Sequence, residues 1–352
     1  MWRAILALTV QRFLLLSVAF LAINLQLDRS QGGGVRIRSW NEVKPILLSL
    51  TERLDEWREL EESRTHPATQ VLSVSKNPVV WLSRVLADFL RWPSASILIL
   101  VSNLLFLWFL WSLNSLFNHL AMPDEASDAT ILAALWVTSY EFSLGSSVVF
   151  FGLASTWCLQ GALDNRWWLA GIGVAGLLLQ EPVGVAYLPY LLMVFFYFQR
   201  HFMLSQILKN SLFLLVPAVV VSWWRWDVVS HIASMWDHGS VMTILNQLSM
   251  SQFDWFWQSD QLAQTLTILF FLGSAILLGL VSRLFVHVLI PITGMGALLA
   301  LMPFGQVASR SVVAMVCLLG PAVMMSKPLG WIMRCVFVGL SVYEVAHLLA
   351  AK

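Results

Sequence analysis

Charge is scarce in this 352-residue chain, with Asp, Glu, Lys and Arg making up only 12% of it. That is about half the share usual in a soluble domain, and it excludes a cytosolic globular enzyme. A 58% hydrophobic content equally excludes a disordered chain, which has little apolar surface to bury. There is no basic excess: 21 Lys and Arg face 20 Asp and Glu, so binding of nucleic acid through charge is excluded too. Cys158, Cys317 and Cys335 are the three cysteines, each isolated within an apolar stretch. No CxxC or Cys/His cluster occurs, which removes both a disulfide framework and a zinc site. What the chain has in quantity is apolar length, with 18 Trp and 21 Phe suited to apolar surfaces and to the aromatic belts of a bilayer interface. The composition predicts an all-α, polytopic membrane helical bundle.

A helix needs about 20 apolar residues to cross the hydrocarbon core, and fewer where neighbours shield it. Apolar runs that meet this description lie near 8–25, 95–117, 129–140, 146–163, 168–180, 183–198, 211–224, 262–281, 285–302, 311–325 and 331–349, which gives about eleven transmembrane helices. Short runs interrupted by Pro182, Pro189 and Pro217 point to a bundle around a cavity, because broken helices are tolerated where protein or water covers the freed backbone.

Arg3 and Arg12 precede the run Phe13–Leu25, and no small-x-small cleavage site follows it. The first span therefore reads as a retained anchor with its arginines in the cytoplasm. Alternation from there puts Arg166, Arg200, Lys209, Arg283 and Lys327 in cytoplasmic turns, together with the acidic Asp124, Glu125 and Asp128. The organisation that results is an anchor (1–25), an extracytoplasmic loop (26–93), a transmembrane bundle (94–224), a second extracytoplasmic loop (225–261) and C-terminal transmembrane helices (262–352).

The first loop holds close to half of the charged residues. Within it Leu47, Leu50, Leu54 and Trp57 recur at helical spacing, with Glu52, Arg53, Asp55, Glu56 and Arg58 between them. One apolar stripe on a charged body predicts a helix lying along the membrane surface, with Glu56 on the solvated side. A second such piece runs from Val79 to Trp92 and places Leu82, Val85, Leu86 and Phe89 on one face. Gly32-Gly33-Gly34 forms a flexible link, and no internal repeat is evident.

Several strings fall in an order and spacing similar to those of the PIG-V-type mannosyltransferases of the GT-C superfamily. They are Asn77-Pro78-Val79-Val80-Trp81-Leu82, Val101-Ser102-Asn103-Leu104-Leu105-Phe106, Arg166-Trp167-Trp168-Leu169-Ala170-Gly171 and Gln180-Glu181-Pro182-Val183-Gly184. The resemblance covers about residues 35–200 and, more faintly, 300–325. It implies a GT-C-like bundle with amphipathic surface helices in its first external loop. The implied activity is transfer of a sugar, mannose by the resemblance, from a polyprenyl- or dolichyl-phosphate donor to an acceptor on the extracytoplasmic face.

An inverting transfer needs a carboxylate to take the acceptor's proton and a cation or metal to hold the leaving phosphate. The resemblance implies an acid early in the first loop, where this chain reads Arg38-Ser39-Trp40-Asn41-Glu42. Asn41 occupies the carboxylate position and cannot accept a proton; Glu42, one residue on, can. A second acid is implied at the outer end of a later span, where the best spacing selects Ser147 and a short gap selects Glu141. A third position, an arginine in the resemblance, is Glu181 here, a reversal that repels a phosphate. Arg310, in Ser309-Arg310-Ser311, resembles a family arginine able to hold a lipid-linked phosphate bidentately; interfacial anchoring is the competing role.

Glu344 and His347 sit three residues apart on the last span and suit a structural hydrogen-bonded pair. Asp227, Asp237, His238 and Asp254 in the second loop lack metal-ligand spacing, so no cofactor is named and a divalent metal has no ligand set behind it. Three functions stay open: an active GT-C-like glycosyltransferase; a catalytically inactive GT-C-like protein that binds a lipid-linked sugar or a partner membrane subunit; and a transporter or lipid flippase, which discontinuous helices favour. Membrane lipids are expected partners and nucleic acid is not. The expected location is a multi-pass place in a bacterial inner membrane, with the endoplasmic reticulum membrane as the alternative.

Overall fold

The computed structural model describes residues 5, 9, 55–63, 77–120, 123–136, 139–180, 187–199, 202–226, 276, 280, 315 and 327–350. No strand occurs among the described residues, so the all-α expectation holds for them. The helices are α1 (Asp55–Ser63), α2 (Pro78–Leu90), α3 (Ser94–Leu120), α4 (Pro123–Ala134), α5 (Ser139–Leu144), α6 (Val148–Leu163), α7 (Trp167–Gln180), α8 (Leu188–Gln199), α9 (Leu204–Trp224) and α10 (Lys327–Ala350). Two of them, over Ser94–His119 and Leu204–Trp224, are long and apolar enough to cross a membrane, while α6 and α7 are apolar but shorter. The expected spans 8–25, 262–281, 285–302 and 311–325 lie outside the described residues, apart from isolated positions.

Local chemistry sets several of the boundaries. Asn77 caps α2, its Oδ1 accepting from the N–H groups of Val79 (3.1 Å) and Val80 (3.4 Å), and Pro78 fills the first turn, where no N–H is needed. Arg91 ends α2 in the left-handed conformation (φ 56°), and Pro93 prevents continuation. Helix α6 closes in the same way. Arg166 N–H reaches back to Gly161 O (2.7 Å) and Asn165 N–H to Ala162 O (3.3 Å), with Asn165 at φ 57°, as a left-handed C-terminal cap requires.

Two expected spans change. The run 129–140 is not one helix: α4 begins at Pro123 with Asp124 and Glu125 in its first turn, where acids favour a helix start, and it unwinds at Leu135–Trp136 before α5. The run 211–224 is the C-terminal part of α9, which begins seven residues earlier at Leu204 and continues through Pro217.

The chain forms two compact units. The first comprises residues 1–111, 130–147 and 326–352, so α3 divides after Trp111 and α4 after Ala129. Its buried aromatic contacts include Phe106 against Phe142 (5.3 Å between centroids) and Trp136 against Phe337 of α10 (5.5 Å), both edge-on.

In the second unit, residues 112–129 and 148–325, α6 and α7 run antiparallel. A Cβ on Gly173 would lie 2.5 Å from Cys158 N, and one on Gly176 would lie 2.9 Å from the Ala154 side chain. The absence of side chains there lets the two backbones touch, the means by which helices associate when lipid offers no hydrophobic drive. Gly171 meets the backbone of Phe213 on α9 in the same manner.

Candidate functional site

The residues that carry the best polar geometry in the first unit come from α1 and from the turn after α5. Helix α1 is highly charged, yet Glu56 and Leu60 are buried at 2% exposure each and Trp57 is half-buried, while Arg58, Glu61 and Glu62 face outward. Positions 56, 57 and 60 share one face at helical spacing. The expectation that Glu56 lies on the solvated side is therefore corrected. The reason is a specific long-range partner: Glu56 Oε1 accepts from the backbone N–H of Ser147 (2.7 Å) and from its Oγ–H (2.6 Å). Beside it Trp57 Nε1–H donates to Leu144 O (3.0 Å). Gly145 makes this turn possible, because its φ of +120° is closed to other residues and a Cβ there would meet Trp57 Nε1 at 3.2 Å and Leu98 at 3.3 Å. A buried carboxylate is costly unless hydrogen-bonded, and short bonds to an ionised acceptor are the strong kind.

Of the residues singled out from the sequence, Ser147 is at the centre of this arrangement. Glu141 lies in the first turn of α5, where its carbonyl accepts from Ser146 N–H (3.2 Å). Asn41, Glu42, Glu181 and Arg310 lie outside the described residues, as do the side chains of Glu344 and His347. Glu56 is the residue that sequence reasoning missed; no local signal marks it, because its partner lies 91 positions further along the chain.

The second unit holds a separate polar system. Thr156 Oγ1 donates to Leu153 O (2.8 Å) and accepts from Ser112 Oγ–H (2.9 Å), Gln160 Nε2–H donates to Ser115 Oγ (3.0 Å), and His119 Nε2 pairs with Asp164 Oδ1 (2.7 Å). The three rungs follow one another turn by turn, so α3 and α6 run parallel here. At the same end Asn165 Oδ1 accepts from Gln199 Nε2–H (3.1 Å) and from Trp167 Nε1–H, and Gln199 Oε1 accepts from Asn210 Nδ2–H (3.1 Å). This amide chain ties the end of α8 to the starts of α7 and α9. At the opposite end Arg225, after α9, donates from its guanidinium to Leu179 O (2.7 Å) in the last turn of α7. Among the described residues no three His, Cys, Asp or Glu side chains group as metal ligands, and Cys158 and Cys335 are free thiols.

No protein-family model, no curated protein and no solved structure matches the chain.

Proposed function

We propose that this protein is a multi-pass, GT-C-like membrane glycosyltransferase. It moves a sugar, mannose by the resemblance, from a polyprenyl-phosphate donor to an acceptor on the extracytoplasmic face. One observation carries the reading. The resemblance implies acids in the first external loop and near position 147, and Glu56 of that loop is hydrogen-bonded to Ser147. Glu56 is then the carboxylate of the outer-face site, and Ser147 orients it. With both Ser147 bonds on Oε1, Oε2 is the oxygen left to take the acceptor hydroxyl's proton. Glu42 is the alternative base, and Arg310 is the residue offered to the donor phosphate.

The test is transfer from a polyprenyl-phosphate sugar by purified protein in proteoliposomes. Loss of a general base lowers turnover by about 10²–10⁴. Glu56→Gln is expected to do so with donor binding kept, since glutamine still accepts from Ser147. Full activity in Glu56→Gln together with a collapse in Glu42→Gln moves the base to Glu42.

A second reading has an observation of its own. Glu56 is only 2% exposed and one of its oxygens is fully engaged, which suits a structural latch in a protein that binds a lipid-linked sugar, or a partner membrane subunit, without transfer. Asn41 and Glu181 support the same reading. Donor binding with no turnover in the unaltered protein selects it.

A further inference from the structure

Helix α6 has three sides. Ala154, Cys158 and Gly161 meet α7, while Thr156 and Gln160 bond to α3. Ser155 belongs to neither side and is turned about 100° from each of them. Phe151, Leu159 and Ala162 share this third side with it, and all four are buried at 1% exposure or less. Helix α8 packs on α6, and its Tyr190 stands within electrostatic reach of Cys158, at the border of that third side. The depths agree as well. Gln199, at the end of α8, is bonded to Asn165, just after α6. Counted back from that tie, Tyr190 lies about 14 Å and Ser155 about 15 Å along their parallel helices.

Ser155, Cys158 and Tyr190 therefore converge between α6 and α8. Ser155 Oγ and Tyr190 Oη, on residues 0% and 2% exposed, have no hydrogen-bond partner in the protein. Buried hydroxyls as a rule are bonded, and hydrocarbon around a bundle offers them nothing. Neither helix carries an Asp, Glu, Lys or Arg, so a charged ligand would lack a counter-charge there. One thiol is no metal site. Burial this complete admits only a small molecule.

We propose that Ser155, Cys158 and Tyr190 form a binding site for one internal water molecule between α6 and α8. The Tyr190 phenol donates to the water oxygen, and the water donates to Ser155 Oγ. The Cys158 thiol supplies a weaker third contact, and about three bonds are what a buried water makes. The bound water ties α8 to α6 at mid-depth, where the Asn165–Gln199 bond holds only their ends.

The test uses the full chain in detergent, with Cys317 and Cys335 replaced by serine. Infrared spectra follow the S–H stretch of Cys158 after transfer into deuterium oxide. A thiol in contact with exchangeable water is expected to convert to S–D well before the backbone amides of α6 exchange. An S–H band that lasts as long as those amides shows a dry site and overturns the proposal. Unfolding of Tyr190→Phe and Ser155→Ala is the second arm. Each is expected to lower the folded-to-unfolded ratio about five-fold, the net worth of one hydrogen bond. The double variant should lose less than the product of the single losses, because both hydroxyls share one ligand. A phenol without a ligand gives the opposite sign, since its removal ends an unmet buried group. Tyr190→Phe as stable as the parent, or losses that multiply, would overturn the proposal. A direct bond between the two hydroxyls also couples them but leaves Cys158 dry, so the infrared arm separates the two cases and needs neither substitution. Sugar transfer enters none of these measurements, so this site and the enzymatic reading fail separately.

Discussion

Ser147 gives both its backbone N–H and its hydroxyl to one oxygen of Glu56, a residue 91 positions earlier in the chain. Two donors on one buried oxygen, with Trp57 bonded to the same turn, join a charged loop helix to a segment it has no local reason to meet. The arrangement is costly to break from either side, because each donor then loses its partner away from water.

Glu56→Ala is therefore expected to destabilise the protein by about 1–3 kcal/mol, the range for a buried donor left unpaired. Glu56→Gln, which keeps an acceptor oxygen, is expected to cost less, about 1 kcal/mol. Unfolding in detergent measures both. A cycle with Ser147→Ala is expected to return a coupling of about 0.5–3 kcal/mol; strictly additive losses would show that the two side chains act apart.

Three glycines make a graded test. Gly145→Ala forces a side chain onto a positive φ and against Trp57, with an expected loss of about 1–3 kcal/mol. Gly173→Ala drives a methyl into the backbone of Cys158, so α6 and α7 separate and the loss is larger. Gly339 has nothing within 4 Å of the corresponding position. Gly339→Ala should instead stabilise α10 by about 0.5–1 kcal/mol through helix propensity alone. Thermal midpoints in the reverse order would contradict the packing.

The rungs between α3 and α6 are predicted to be modest. Hydrogen bonds between membrane helices average about 0.6 kcal/mol and reach about 1.7, so Thr156→Val and Gln160→Leu should each fall in that range. His119→Leu should cost less than 1 kcal/mol, because the His119–Asp164 pair is partly exposed and water screens it. Chemical unfolding of the three single variants decides; a dominant loss at His119 would make that pair the main tie.

Much of the helical layout is legible in the sequence. The apolar runs mark α3, α6 and α7 to within a few residues, and Asn77-Pro78 announces the start of α2 through its cap. The failures have physical causes. Lys209 and Asn210 look like loop residues, yet Asn210 is satisfied by Gln199, so α9 extends through them. The break at Leu135–Trp136 lies within an apolar run, where periodicity carries no signal. Glu56 sits among charges and reads as solvated, since its partner is distant in the chain and is itself an ordinary serine. Ser112, Ser115, Thr156 and Gln160 are visible as polar positions in apolar runs, but their pairing needs the packed helices.

Helix direction supplies the last prediction. The C-terminal end of α6 and the starts of α7 and α9 meet at one end of the second unit, as the Asn165–Gln199–Asn210 chain requires. The exposed Arg166 and Lys209 belong to that end, which the positive-inside rule leads us to expect in the cytoplasm. Single cysteines at these two positions, in sealed cells, should react with an impermeant maleimide only after permeabilisation. A cysteine in place of the exposed Glu62 of α1 should react from outside. Arg166 and Lys209 labelling from opposite sides would contradict the helix directions themselves. Both labelling from outside, with Glu62 protected, would keep those directions and invert the topology, carrying Glu56 and Ser147 to the cytoplasmic face, where an extracytoplasmic transfer has no use for them.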